Sequence, residues 1–452
     1  MPSQAMSLVP ILYFIVFLPP STGESWISLN VSVPPWLHDD SEIDQMTYNY
    51  NYVDVLIGTP PQKISLSIDT QTEITAVYSQ DRCLFCPGTR SFDEHVSSTY
   101  NDTGLPFDST ALAGGSWARD TISLDGNLEN KVSDFVLIDR ITTNTTARGL
   151  WPYNGQLALV QEALRSYNHT PLFADLFRSG KLTDPVIGMR LDPMNPRLTA
   201  GVIDPNDYEG TLNWVEIEPD NKEYTQYHVF KFDGFQGRNG SYPNSRMLAA
   251  IDSKSINIAT PNNHTYLSSP NFIETIHRHV DFGGPDDAPT APCGQDALFI
   301  YMSIAINGVS YEIDSKDLIR KRSVDRLCNV GITTNTLLPR EPHTILGLPF
   351  LRSVYLAYRF PTDSCPGYFG FAFPRGANRT HEQKAQKPTS TPTLSSQCLT
   401  FTTPTSTPSP LDPSPIGDGK RYPVYGEESL QVPLIGVEHL VKGIWNVTDG
   451  II

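Results

Sequence analysis

Positive charge is scarce in this sequence, and no lysine or arginine precedes Lys63. Over the 452 residues, 33 Lys and Arg stand against 49 Asp and Glu, which gives a formal net charge of −16 at pH 7. A surface of this sign repels the phosphate backbone of nucleic acids. We therefore expect no nucleic-acid partner.

Long apolar runs are also absent. The longest, at residues 8–18, has the length of a signal-peptide core and is followed by small residues. We expect residues 1–23 to form a cleaved signal peptide. No later run is long enough to cross a bilayer, so we expect no transmembrane segment in the mature chain. These features predict a secreted, extracellular protein, with cell-wall or surface association left open.

Glycosylation sequences support this secretory route. Eight Asn-x-Ser/Thr sequences occur, and in a secreted chain such asparagines can carry N-linked glycans. The candidates are Asn30, Asn101, Asn144, Asn168, Asn239, Asn263, Asn378 and Asn446.

Cysteine is sparse, with six residues, and in a secreted chain these indicate disulfides. The candidate pairs are Cys83 with Cys86, Cys293 with Cys328, and Cys365 with Cys398. The sequence leaves the third pair open. The alternative, a metal or redox site at the first pair, lacks a second Cys-x-x-Cys motif or a nearby histidine to supply ligands. We expect no metal and no cofactor.

The distribution of Pro, Gly and aromatic residues predicts an all-β protein. Short apolar stretches alternate with turn residues from about residue 46 to residue 375. After Gly376 the composition changes to Pro, Ser and Thr, which supplies too few apolar residues to form a core. We expect this tail to be largely disordered.

An internal repeat indicates two similar lobes. The segment from Ser67 to Ile74 contains Asp69, and the segment from Ala250 to Asn257 contains Asp252 in the same pattern of an apolar residue, an aspartate and alternating hydroxyl residues. A duplicated unit of this kind predicts a duplicated structure.

Several stretches in a fixed order resemble the pepsin-like aspartic peptidases over roughly residues 50–375. They are YVDVLIGTPPQ at 52–62, the repeat at Asp69, TPLFADLFRSGKL at 170–182, GVIDPNDYEGTLNW at 201–214, the repeat at Asp252 and ILGLPFLRSVYLAY at 345–358. The resemblance implies a bilobal fold of two β lobes related by a pseudo-two-fold axis, with a central cleft. It also places Cys293 and Cys328 at the position of a disulfide in the second lobe.

The expected boundaries follow from the repeat and the resemblance. After the signal peptide we expect a short N-terminal extension at 24–45, an N-terminal lobe at 46–210, a C-terminal lobe at 211–376 and the tail at 377–452. We expect a monomer.

The resemblance makes Asp69 and Asp252 the candidate catalytic residues. Two carboxylates held close together keep one shared proton, because like charges do not both ionise cheaply, and such a pair can both activate water and protonate a carbonyl. The neighbouring hydroxyls are expected to support the pair. They belong to Thr70, Thr72, Ser253 and Ser255.

The departures from the family pattern concern the same loops. Gln71 and Lys254 stand where the family has glycine, Ala76 replaces a tryptophan, and Phe107 or Asp108 takes the place of a flap tyrosine. A cation within ~4–6 Å of a carboxylate favours its ionised form, so Lys254 would favour a pair without its proton. The alternative is that Lys254 points to solvent.

Two hypotheses remain. In the first, the chain is a secreted aspartic endopeptidase that hydrolyses extended peptides through Asp69 and Asp252. In the second, it keeps the cleft but not the catalysis, and binds peptides or another secreted protein there. The resemblance implies a basic prosegment whose lysine neutralises the two aspartates. Because no basic residue precedes Lys63, we expect no conventional prosegment of this kind, and our hypothesis is that Lys254 has this electrostatic role.

Overall fold

The structure is a computed structural model in which part of the chain is described. The described residues are 25–32, 51–83, 86, 91–109, 113–124, 131–141, 154–161, 169–218, 228–237, 240–242, 247–261, 290–292, 302–321, 327–335, 344–392 and 395–402. All of them belong to one compact unit, Met1–Pro410, and the second unit, Leu411–Ile452, lies outside the described residues.

Strands dominate the described part of the chain. They are β1 (Ile27–Ser32), β2 (Tyr52–Ile57), β3 (Gln62–Asp69), β4 (Ala76–Tyr78), β5 (Asn101–Ser109), β6 (Ala113–Ser123), β7 (Lys131–Ile141), β8 (Gly155–Ala158), β9 (Val186–Arg190), β10 (Arg197–Ala200), β11 (Tyr208–Glu216), β12 (Val229–Phe232), β13 (Gly234–Gly237), β14 (Gly240–Tyr242), β15 (Met247–Ile251), β16 (Ile258–Pro261), β17 (Thr290–Pro292), β18 (Met302–Ile306), β19 (Val309–Ile313), β20 (Ile319–Lys321), β21 (Leu327–Val330), β22 (Ile332–Asn335), β23 (Thr344–Leu346), β24 (Tyr355–Arg359) and β25 (Tyr368–Pro374). The helices are α1 (Leu172–Arg178), α2 (Ser315–Leu318), α3 (Leu348–Ser353), α4 (His381–Ala385) and α5 (Ser395–Cys398).

The strands form one large sheet and three smaller ones. The large sheet has 13 strands in the order β11-β25-β24-β9-β10-β1-β2-β3-β8-β4-β7-β6-β5. Strand β2 shows why these residues form half-buried strands, because Val53, Val55 and Ile57 are buried and alternate with more exposed residues. The all-β, bilobal prediction is confirmed.

The internal repeat appears as a repeated strand arrangement. In the first half, β3 runs parallel to β8, β8 pairs antiparallel with β4, and β4 runs parallel to β7. In the second half, β15, β23, β16 and β22 repeat these three pairings in the same senses. The parallel pairs β3–β8 and β15–β23 each have one of the two repeated loops at the carboxyl end, and this positions the aspartates.

The segment expected to be an N-terminal extension contributes a strand to the large sheet. Strand β1 pairs antiparallel with β10, with Ile27 opposite Ala200, and pairs with β2 at its other end. Its buried residues Ile27, Leu29 and Val31 alternate with more exposed ones, as expected for a strand with one face on the core.

Within the tail expected at 377–452, residues 377–392 and 395–402 are described and pack on the body. The Arg379 guanidinium bonds to Asp314 at 2.6 Å, and the Asn307 amide donates to the Ser390 carbonyl at 2.6 Å. Further along, Phe401 packs against Trp214, with ring centroids 5.4 Å apart. Composition alone did not predict this packing, because hydrogen bonds, the disulfide at Cys398 and a few apolar side chains attach the segment to a surface that the rest of the chain provides.

Two disulfides lie within the described residues. They join Cys83 to Cys86 and Cys365 to Cys398, so the pair left open by the sequence is bonded. The expected bond between Cys293 and Cys328 falls outside the residues whose side chains are described. In the same described part, no helix has the length and apolar character needed to cross a membrane.

We expect the bond between Cys365 and Cys398 to stabilise the fold more than the bond between Cys83 and Cys86. The partners are separated by 33 residues in the first case and by 3 in the second. Because loop closure restricts the unfolded chain more for longer loops, removal should cost ~3–4 kcal/mol for the first bond and about 2 kcal/mol for the second. Urea unfolding of the two double Cys→Ser variants measures both values, and equal losses would contradict this ranking.

Candidate active site

The two repeated loops place one aspartate at the end of each central strand. Asp69 is the last residue of β3 and is buried, with 1% of its surface exposed. Asp252 follows directly after β15 and is partly buried. Each strand is fixed from the side by its parallel neighbour: the Asp69 carbonyl accepts from Leu159 N at 2.8 Å, and Asp252 N donates to the Leu346 carbonyl at 3.1 Å.

The loops are locked together by crossed hydrogen bonds between the two halves. Thr70 N donates to Ser253 Oγ at 3.1 Å, and Ser253 N donates to Thr70 Oγ1 at 2.9 Å. Each hydroxyl also reaches the strand of the other half: Thr70 Oγ1 donates to the Ile251 carbonyl at 3.2 Å, and Ser253 Oγ donates to the Ile68 carbonyl at 2.7 Å. The supporting role predicted for these two hydroxyls therefore has a direct geometric basis.

Backbone amides orient the two carboxylates in the same way. Gln71 N donates to Asp69 Oδ1 at 2.8 Å, and Lys254 N donates to Asp252 Oδ1 at 2.8 Å. The two replaced glycine positions thus still supply the amide that holds each aspartate. Among the described residues Asn307 is the one non-glycine residue with positive φ, so neither replacement forces a left-handed backbone.

The Lys254 side chain lies inside the site. Its ammonium forms an ion pair with Asp69 Oδ2 and donates to Gln156 Oε1 at 2.8 Å. The Lys254 side chain is 20% exposed and that of Asp69 is 2% exposed. The alternative that Lys254 points to solvent is wrong, because the buried carboxylate and the Gln156 amide offer it partners within reach of the long side chain.

The Gln71 side chain crosses between the halves. Its Nε2 donates to the Ile251 carbonyl, the same acceptor that Thr70 Oγ1 uses. Bulk at this position is accommodated by an additional bond from one loop to the strand of the other.

The other two hydroxyls act within their own loops. Thr72 Oγ1 accepts from Ile74 N at 3.1 Å, and Ser255 Oγ donates to the Asn257 carbonyl at 2.8 Å. They stabilise the turns that follow the aspartates and do not join the lobes.

Gln156 is the one residue of this cluster that the sequence analysis did not select. It lies on β8 and is 3% exposed. No motif marks it, because its partners Lys254 and Ile74 are distant in sequence and meet it only in the folded chain.

The environment of Asp252 favours its neutral form. Burial, and secondly the negative charge of Asp69, raise the pKa of Asp252 from 3.8 to about 6. The amide and the ammonium of Lys254 act in the opposite direction without cancelling this rise. Below pH 6 the pair therefore carries a proton on Asp252.

The region expected to form the flap packs differently from a tyrosine–tryptophan pair. Ala76 is fully buried in a cluster with Phe107 and Trp117, whose rings meet edge to face at 6.2 Å. Trp117 of strand β6 and Ala76 of strand β4 therefore belong to the same apolar cluster. The side chain of Asp108, the other candidate at the flap position, lies outside the described residues.

The remaining site predictions concern metals and glycans. No group of three metal-ligating residues occurs within the described ranges. Three of the predicted glycosylation asparagines can be placed, and all three are exposed: Asn30, Asn101 and Asn378. The other five lie outside the described residues.

Comparison with known proteins agrees with this geometry. The family model for eukaryotic aspartyl proteases matches residues 50–365. Pregnancy-associated glycoprotein 1 of Sus scrofa is 25% identical over 324 residues, which cover 68% of this chain and 79% of the relative. Cathepsin E of Cavia porcellus is 23% identical over 339 residues, with the same coverage. Gastricsin of Rattus norvegicus is 23% identical over 317 residues, covering 68% and 77%.

The raised pKa of Asp252 predicts a stability that falls as pH rises. Between pH 3.8 and about 6 the folded protein holds a proton on Asp252 that the unfolded chain has released, so the free energy of unfolding decreases with pH in this window. A rise of this size corresponds to a loss on the order of 2–3 kcal/mol. Asp252→Asn mimics the neutral acid and should remove this part of the pH dependence.

Urea unfolding of the parent and of Asp252→Asn between pH 4 and pH 7 provides the measurement. Titrating groups outside the site contribute equally to both proteins, so the difference between the two pH profiles isolates Asp252 together with the two charges it interacts with, Asp69 and Lys254. Parallel profiles would show that Asp252 does not carry a raised pKa.

Proposed function

The chain belongs to the eukaryotic aspartyl protease family, and we propose that it binds extended peptides in its cleft while Lys254 restrains hydrolysis as a built-in counter-ion of Asp69. The family implies a peptide ligand. The single observation that carries the restraint is the ion pair between the Lys254 ammonium and Asp69 Oδ2.

The ion pair occupies the oxygen that catalysis needs. Asp69 Oδ1 already accepts from Gln71 N at 2.8 Å, and Oδ2 faces the ammonium. A general base must reach the water proton directly, at hydrogen-bond distance. A water molecule acting here has to share Oδ2 with the ammonium or displace the ammonium from it.

The scaffold of the cleft supports retention of peptide binding. The crossed bonds between Thr70 and Ser253 are complete, and the carboxylates keep equivalent amide donors. The bonds that join the two loops and orient the two carboxylates are therefore retained beside the Lys254 ion pair.

A second candidate is hydrolysis at acidic pH by the chain as it stands. It is favoured by the pKa of Asp252, which burial and the charge of Asp69 raise to about 6, because below that pH Asp252 carries a proton. One charged and one protonated carboxyl is the state that water activation and carbonyl protonation require. In this case the ammonium would move aside when substrate binds.

Replacing Lys254 separates the two candidates. Lys254→Met keeps the length of the side chain and removes its charge and its hydrogen bonds. If the ion pair restrains catalysis, hydrolysis of a denatured protein at pH 3–5 should rise from near background by at least about 10²-fold, the contribution of a positioned acid or base. The assay compares the parent, Lys254→Met and the double variant Gln71→Gly with Lys254→Gly.

Asp69→Asn in each background serves as the control for contaminating peptidases. Parent activity that disappears with Asp69→Asn would establish the second candidate and overturn the restraint. Lack of activity in both Lys254 variants would show that the ammonium is not what prevents hydrolysis.

We also propose that the protein follows the secretory route. The exposed positions of Asn30, Asn101 and Asn378 and the bonded pairs of cysteines support it, because disulfides persist in oxidising compartments. We expect protein recovered from the culture medium of its native cells to lose mass on enzymatic removal of N-linked glycans. Protein found only in the cytosol, and without glycans, would contradict this proposal.

A further inference from the structure

Gln156 lies at the centre of the first lobe's strand arrangement. On β8 it is opposite Ser67 of the parallel strand β3 and opposite Ala76 of the antiparallel strand β4. Only 3% of its surface is exposed. A buried amide is stable at such a place when both of its ends are hydrogen-bonded.

Both ends of the Gln156 amide are used, and they connect the two lobes. Nε2 donates to the Ile74 carbonyl at 3.1 Å, in the loop that follows Asp69. Oε1 accepts from the Lys254 ammonium at 2.8 Å. The acceptor for Lys254 is therefore itself oriented, because a rotated amide would present its NH2 group to the ammonium.

The second lobe shows what stands at this position when no lysine has to be held. The antiparallel pair of Ala76 and Gln156 is repeated there by Ala259 and Ile345. The alanines are equivalent, but the amide of one lobe is an apolar side chain in the other. Strand packing alone accepts Ile at this place, so the amide is not required by the strand arrangement.

Ala76 leaves room for this amide. Residues directly opposite each other in an antiparallel pair place their side chains on the same face, roughly 4.5–5.5 Å apart. A tryptophan at position 76 would extend over the space beside Gln156. The replacement at position 76 and the amide at position 156 are therefore compatible with each other and with a lysine that enters from the second lobe.

We propose that Gln156 is a positioning residue that holds the Lys254 ammonium against Asp69. It fixes the ammonium from the first lobe through an amide whose other end is bonded to the Ile74 carbonyl. The proposal rests on the function proposed above, in which Lys254 restrains hydrolysis, but its test does not depend on any hydrolysis.

The test measures the accessibility of the Lys254 amine in the folded full-length protein. A brief pulse of acetic anhydride is followed by peptide mass spectrometry, and acetylation of Lys254 is expressed relative to Lys231, which is 54% exposed. In the parent, Lys254 should react much more slowly than Lys231. In Gln156→Ile, which copies Ile345, its relative reactivity should increase about tenfold or more because a hydrogen bond to the charged amine is lost.

Gln161→Leu is the matched control. Gln161 is also a 3% exposed glutamine of the first lobe with both amide ends bonded, to Ala158 and Ala174, and it has no bond to Lys254. Its replacement should leave the relative reactivity of Lys254 unchanged. Gln156→Glu keeps an acceptor for the ammonium and adds a negative charge beside it, so the relative reactivity of Lys254 should be no higher than in the parent.

Unchanged Lys254 reactivity in Gln156→Ile would overturn the proposal, and so would an equal increase in Gln161→Leu, which would indicate general loosening. Gln156→Met, unbranched and without hydrogen-bonding groups, carries the same test if Gln156→Ile does not fold. Hydrolysis by the parent would contradict the proposed function while the labelling result still decides the role of Gln156.

Discussion

The crossed hydrogen bonds between Thr70 and Ser253 are the interaction on which the site depends. They are short in both directions, at 3.1 and 2.9 Å, and each hydroxyl also anchors in the strand of the other half. Because the two loops are fixed to each other at this point, the positions of the neighbouring residues in both loops are also fixed relative to each other. Asp69 and Asp252 come close enough for their charges to interact, and Lys254 of one loop reaches Asp69 of the other.

The charge balance of the site differs from that of two carboxylates alone. The Asp69 carboxylate is almost completely buried, and burying an ionised group is costly unless it is paired and hydrogen-bonded. Here the backbone amide of Gln71 donates a hydrogen bond to the Asp69 carboxylate, and the Lys254 ammonium pairs with it. For Asp252, by contrast, burial raises the pKa to about 6, so that its neutral form is favoured. The two repeated aspartates accept equivalent backbone hydrogen bonds but have different electrostatic environments.

Much of this arrangement was predictable because it depends on local sequence. The repeated Asp-Thr and Asp-Ser units gave the two loops, and alternating apolar residues gave the strands. The sequence offered Cys365 and Cys398 as a candidate pair, but the other contacts of residues 377–392 and 395–402 were not predictable in this way. The contacts of Arg379, Asn307 and Phe401 depend on surfaces that exist only after the body has folded.

By itself, the sequence determined the family, the duplicated β architecture and the identity of the paired aspartates, because short motifs and their order encode these features. The tertiary structure decided where the Lys254 ammonium lies, which of the two aspartates it meets and that Gln156 holds it there. The physical reason is distance along the chain. A hydrogen-bond partner nearly one hundred residues away leaves no periodic or local pattern in the sequence, and only the folded lobes bring the partners together.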